Sequence, residues 1–74
     1  MKPYKDCSGK SGVLAYEAHD EAIDVKFKSG VTYRYTHASA GWQEVETMKL
    51  LAQQGRGLAS YINAHVVDRY ADKW

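Results

Sequence analysis

From Ala22 to Thr36 apolar and polar side chains alternate strictly: Ile23, Val25 and Phe27 against Asp24, Lys26 and Lys28, then Val31, Tyr33 and Tyr35 against Thr32, Arg34 and Thr36. A period of two on both sides of Ser29-Gly30 predicts a β-hairpin, with Gly30 able to take the positive φ that such turns require. Successive side chains of a strand point to opposite faces, so the apolar set shares one surface that only a second layer can remove from water. Burial contributes about 1.5–3 kcal/mol for each large apolar side chain. This face is therefore the main stabilising resource of a 74-residue chain, which has length for one domain and sits near the size at which a single core just offsets chain entropy.

The rest of the chain reads around that hairpin. Residues 1–12 hold the only proline, a Ser-Gly-Lys-Ser-Gly run and few apolar side chains, a composition that predicts a flexible N-terminal arm ahead of one domain over 13–74. Gly9-Lys10-Ser11 lacks the upstream glycine and the preceding strand of a phosphate loop. Val13 to Glu17 predicts a first strand, Leu14 and Tyr16 on one face and Val13 and Ala15 on the other, linked by Ala18 to Glu21 to the hairpin. After Tyr35 the period changes to about 3.6, and Ser39 is placed to cap a helix that begins near Ala40. Trp42, Val45, Met48 and Ala52 form its apolar stripe, Lys49 can lay its stem beside them, and Glu44 and Glu46 lie near the end that favours anions. Gly55 and Gly57 end that helix. A second follows from about Leu58, with a stripe of Leu58, Tyr61, Ile62, His65, Val66, Arg69 and Tyr70. The predicted fold is α+β: a three-stranded antiparallel β-meander followed by two α-helices packed on one face, with a core of Phe27, Tyr33, Tyr35, Trp42, Val45, Met48, Ile62 and Val66.

Composition narrows the functional classes. With 45% hydrophobic and 26% charged residues, the chain falls among soluble globular domains. No apolar run nears the ~20 residues that span a bilayer, and Met-Lys-Pro-Tyr-Lys-Asp carries no apolar signal-like segment, so a cytoplasmic protein without a membrane partner is expected. Cys7 stands alone, which excludes an internal disulfide framework. Ten basic against nine acidic residues leave a net charge of +1, far from the basic balance of a dedicated nucleic-acid binder.

Tyr16 in the first strand, Val25-Lys26-Phe27-Lys28-Ser29-Gly30 followed by Tyr33-Arg34-Tyr35, and Tyr61-Ile62-Asn63-Ala64-His65-Val66 with Tyr70 together resemble the KTSC domain. That short module is named for its place at the C-terminus of some lysyl-tRNA synthetases and also occurs alone in small bacterial and phage proteins. The resemblance spans about residues 11–70. The family usually has Val-Pro where this chain has Ala38-Ser39, and Ser-x-Gly where it has Gly57-Leu58-Ala59. Its association with a tRNA synthetase implies RNA contact and no defined chemistry.

The candidate sites each have a plain structural reading beside the functional one. Tyr33 and Tyr35 are either a stacking platform for unstacked bases or core, and their shared face with Val31 favours core. Lys26, Lys28 and Arg34 on the opposite face can hold phosphates or form a solvated mixed surface with Asp24 and Glu17. Asn63 matches the family pattern and either touches a ligand or bonds to the Gly55–Gly57 corner. Arg56, between two glycines at a helix start, is an anion-binding candidate. Trp74 with Lys73 and Tyr70 forms an aromatic-basic cluster that clamps the last turn or lies in a homodimer interface. His65 with Asp68 and His37 show no metal-ligand spacing and no nucleophile elbow, so no catalytic residue, metal or cofactor is expected. The expected function is a small non-catalytic binding module for RNA or a nucleotide or other phosphate-bearing ligand. The alternative is a phage or mobile-element protein that docks on or inhibits another protein, with homodimerisation through exposed sheet edges a further expectation.

Overall fold

In the structure, a computed structural model that describes residues 1–7, 9 and 11–74, the hairpin forms strands whose register follows the alternation. The elements are β1 (Lys2–Pro3), β2 (Val13–His19), β3 (Ala22–Phe27), β4 (Thr32–Thr36), α1 (His37–Ala40), α2 (Trp42–Gln54), α3 (Leu58–Tyr61) and β5 (Asp72–Lys73). Ile23 lies opposite Tyr35 and Val25 opposite Tyr33 across antiparallel β3 and β4. At the turn the Phe27 N–H donates to Val31 O (2.9 Å) and Gly30, at φ 98°, donates back to Phe27 O (2.9 Å).

Among the described residues the sheet has five strands in the order β1-β2-β3-β4-β5, not the three of the sequence reading. The two additions are edge strands of two residues each. β1 comes from the stretch read as a loose arm. Lys2 lies opposite Tyr16, the Tyr4 N–H donates to Leu14 O (3.0 Å), and the Tyr4 ring is buried. A single aromatic side chain supplies what the composition of residues 1–12 lacks, because one buried ring can offset much of the ordering cost of a short segment. Ser8 and Lys10, which belong to the same expected arm, lie outside the described residues.

The register of β2 slips between Val13 and Ala15. This bulge sets two residues of β2 against one of β3, so Val13 and Tyr16 share the buried face and Leu14 is exposed. Strict alternation gives the reverse assignment for Val13 and Leu14.

The helical half differs from the expected pair of helices. The cap lies on Thr36, three residues before Ser39. Thr36 Oγ1 accepts from the Ser39 N–H, and Ser39 Oγ accepts from the Thr36 N–H, both at 3.0 Å. Gly41 (φ 104°, ψ 142°) then redirects the chain. Trp42, in the first turn of α2, is 62% exposed and outside the core in which it was expected, while Val45, Met48 and Ala52 further along the same helix are buried. Gly55, left-handed at φ 75°, closes α2 through its N–H to Leu51 O (2.9 Å). α3 continues directly into a π-helical turn over Ile62–Val66. The wider turn keeps Leu58, Ile62 and Val66 buried at a spacing of four and pushes His65 and Arg69, both assigned to the stripe from sequence, out to solvent. Ile23, Val25 and Tyr35 from the sheet form one buried cluster with Val45, Met48 and Leu58 from the helices, and Phe27 and Tyr33 pack against it half-buried.

Candidate functional site

Where the β3–β4 turn meets the π turn, the core face of the sheet is left partly uncovered. The result is an open cavity of about 390 Å³, with Phe27, Tyr33, Tyr35, Ile62 and Val67 as apolar walls and Gly12, Lys28, Ser29 and Asn63 completing the lining. Its volume falls at the small end of ligand sites. The aromatic wall is ordered by its own contacts. Phe27 meets Tyr33 edge-on at 5.5 Å, Tyr70 meets Tyr33 edge-on at 5.0 Å, and Tyr33 and Tyr35 lie with their ring planes 26° apart at 6.4 Å.

Tyr35 is the unusual member. The residue is 1% exposed, and its hydroxyl has no hydrogen-bond partner among the described residues, although buried tyrosines ordinarily find one. No side-chain polar atom among these residues is both sealed from solvent and unpartnered, so the small opening that Tyr35 retains lies at its hydroxyl. Burial, with smaller contributions from the neighbouring Tyr33 and Tyr70 phenols, pushes its pKa up to about 12. The group is a neutral phenol at any physiological pH. At the mouth stands Lys28, 54% exposed, whose Nζ lies 3.5 Å from Asp6 Oδ2.

The opposite face of the sheet is not the free cationic patch that Lys26, Lys28 and Arg34 predict. Arg34 donates twice to Asp24, Nε to Oδ1 at 2.7 Å and Nη2 to Oδ2 at 2.9 Å, and its guanidinium stacks on the Trp74 ring 5.2 Å from the centroid. His19 Nε2 lies 2.9 Å from Asp24 Oδ2 and 3.7 Å from Glu17, which in turn faces the Met1 amine at 3.6 Å. Burial raises the Asp24 carboxyl, but hydrogen bonds from Arg34 and His19 outweigh it and hold the group below its usual range. A chain of contacts thus runs across the sheet from the Met1 amine through Glu17, His19, Asp24 and Arg34 to the Trp74 ring. Asp24 and Thr32, expected in solvent, are buried beneath them. Lys26 shares this face, opposite Thr32.

A larger groove of about 590 Å³ opens at the far end of that face beside His19, Arg34, Thr36 and His37. Its cationic groups already hold carboxylates: Arg34 and His19 on Asp24, and His37 Nε2 2.9 Å from Glu46 Oε2. What the groove leaves open to a ligand is acidic, the Asp20 and Glu21 side chains on its lining. The smaller cavity joins an aromatic wall to a hydroxyl without a protein partner among the described residues, and for that reason it is the candidate site.

Of the residues singled out from sequence, Lys28, Tyr33, Tyr35 and Asn63 meet in this cavity. Lys26, Arg34 and Trp74 are elsewhere, on the open face. Arg56 is exposed between α2 and α3, away from the cavity lining. Asn63 makes no bond to the glycine corner and stands exposed at the cavity rim. His65 stacks on Tyr61, centroids 4.3 Å apart. Among the described residues no group of three or more His, Cys, Asp or Glu is arranged to hold a metal. Sequence reasoning missed Phe27, Ile62 and Val67 as cavity walls, since each reads as core or flank and only the position of the π turn brings them together. Comparison with protein-family models, curated proteins and solved structures finds no match to this chain.

Proposed function

We propose that this chain is a non-catalytic binding module of KTSC type that takes the base of a nucleotide, or an unstacked base of single-stranded RNA, into the cavity between the β3–β4 turn and the π turn. The observation that carries the reading is the combination of an aromatic wall (Phe27, Tyr33, Tyr35) with a cation, Lys28, at its mouth. A base packed on such a wall gains about 1–3 kcal/mol, and a phosphate on the same ligand reaches toward Lys28. The resemblance in Tyr33-Arg34-Tyr35 and Tyr61 to Val66 points the same way, toward RNA.

Affinity is modest and its salt dependence shallow. Arg34 is committed to Asp24 and Lys28 is shared with Asp6, so only one or two phosphates are neutralised, and log K falls with log salt at a slope of about −0.7 for each. Titration of the protein with uridine monophosphate and short single-stranded RNA, followed by the ring resonances of Phe27, Tyr33 and Tyr35, tests this. Saturable shifts that weaken in Lys28→Glu support it. The reading fails if those rings stay unmoved at millimolar nucleotide, or if the shifts centre on Lys26 and Arg34 instead.

A further inference from the structure

We infer that the Tyr35 hydroxyl is the recognition group of the aromatic cavity and that the cavity selects planar heterocycles with a hydrogen-bonding edge over hydrocarbon rings of the same size. The inference rests on the proposed nucleotide reading and names what that site discriminates. A phenol in a residue 1% exposed, without a protein partner among the described residues and lining a cavity with only polar rim groups for company, is left to bond whatever enters. Open to the cavity, the hydroxyl keeps contact with water. A ring that fills the cavity removes that water and must replace the bond, or leave a buried hydroxyl unpaired. A base has keto, ring-nitrogen or amino groups on its edge that can do so, and a benzene ring has none. Because burial and the adjacent phenols hold Tyr35 protonated up to about pH 12, one O–H donor and the oxygen lone pairs are presented at every working pH. Tyr33 and Phe27 supply the apolar contact, which is indifferent to the edge chemistry, so discrimination falls to Tyr35.

The experiment compares uridine monophosphate with phenyl phosphate on the full chain and on Tyr35→Phe. Both probes carry a phosphate monoester, so the contribution of Lys28 is common to the two and cancels. The intact protein is expected to prefer the nucleotide by about tenfold to a hundredfold, the range for one satisfied against one unsatisfied buried hydroxyl. Tyr35→Phe should erase the preference by weakening nucleotide binding alone, leave phenyl phosphate binding equal or tighter, and not lower the melting temperature. A second readout needs no variant: the Tyr35 hydroxyl proton should slow its exchange with water on adding the nucleotide and not on adding phenyl phosphate. Equal affinity for the two probes, or an equal loss of both in the variant, overturns the inference and leaves the aromatic cavity as a binding site. Failure of both probes to bind the intact chain overturns the nucleotide reading and this inference with it.

Discussion

Two tyrosines that look alike in the sequence do opposite things, and removing one oxygen from each distinguishes them. The Tyr4 hydroxyl accepts the Leu58 N–H (3.4 Å) and so completes the start of α3 from the other end of the chain, whereas the Tyr35 hydroxyl satisfies no group among the described residues. Tyr4→Phe should lower unfolding stability by about 1 kcal/mol, because it strands a buried backbone donor. Tyr35→Phe should be neutral or stabilising, and urea unfolding of the two variants side by side checks both signs. The pH dependence of Tyr35 follows from its raised pKa. The folded state holds the proton more tightly than the unfolded chain, whose phenol ionises near 10. Its contribution is therefore intact below pH 10 and is lost as the pH rises through about 12. Tyr4, also raised chiefly by burial, adds to the same alkaline limb. Denaturant melts between pH 9 and 12 should fall less steeply in Tyr35→Phe than in the parent, and identical slopes would show that Tyr35 is not the buried phenol described. Asp24 has the opposite sign. Its carboxyl is held below the ordinary 3.8, so its contribution is present above that value and lost as acid protonates it, and the penalty of Asp24→Asn should be larger at pH 7 than at pH 3.

Among the elements, the corner between α2 and α3 tests how the N-terminal segment is anchored. Gly55 and Gly57 are both left-handed, at φ 75° and 78°, so alanine at either meets the same left-handed cost of about 1–2 kcal/mol. Their surroundings differ. A Cβ on Gly55 would lie 2.5 Å from Lys5 Cβ, while one on Gly57 meets nothing nearer than 3.9 Å. Gly55 O also accepts the Cys7 N–H at 2.7 Å. Gly55→Ala should thus cost clearly more than Gly57→Ala and release residues 2–7 from the sheet edge, seen as lost amide protection at Tyr4 and Cys7. Equal costs would mean that the segment is not seated there. The same corner shows where sequence reading succeeds and stops. Period-two alternation located β3 and β4 and the apolar face they share, because side-chain direction on a strand is fixed locally. Gly55 and Gly57 marked the helix end for the same reason. The bulge in β2 and the π turn at Ile62–Val66 each depend on what packs opposite, and each rotates the faces beyond it. Leu14 was assigned to the face of Tyr16, His65 to the apolar stripe and Trp42 to the core, and all three are exposed. Four members of the cavity were legible as aromatic or polar candidates, but their meeting was not, since it follows from the π turn.

At the scale of the whole molecule, the chain folds its two ends onto opposite edges of one sheet, and this bears on both assembly and binding. Edge strands of two residues offer few free backbone groups for pairing with a second copy. Little is thereby left for the expected homodimer to pair through at the sheet edges, and sedimentation at high protein concentration is expected to give a species of 8.3 kDa; a concentration-dependent dimer would show that the edges, or another surface, do pair. No helix among the described residues is long and apolar enough to cross a membrane. Binding concerns the seam between the sheet and the π turn. A ligand that binds only the folded state stabilises it by about 2.7 kcal/mol at a hundred times its Kd, and amides that exchange through global unfolding all gain that amount. The π turn forms one wall of the cavity, and exposed Asn63, His65 and Val67 leave it less buried than the Val45–Ala52 stripe of α2. Its amides should then open locally without global unfolding, and a ligand wedged against Ile62 and Val67 must close that local route. Hydrogen exchange with saturating uridine monophosphate should slow most, relative to the free protein, over residues 62–67 and at the β3–β4 turn, and least in excess of the global gain over α2. Slowing centred instead on the groove beside His19 and His37 would move the site to the other end of the sheet.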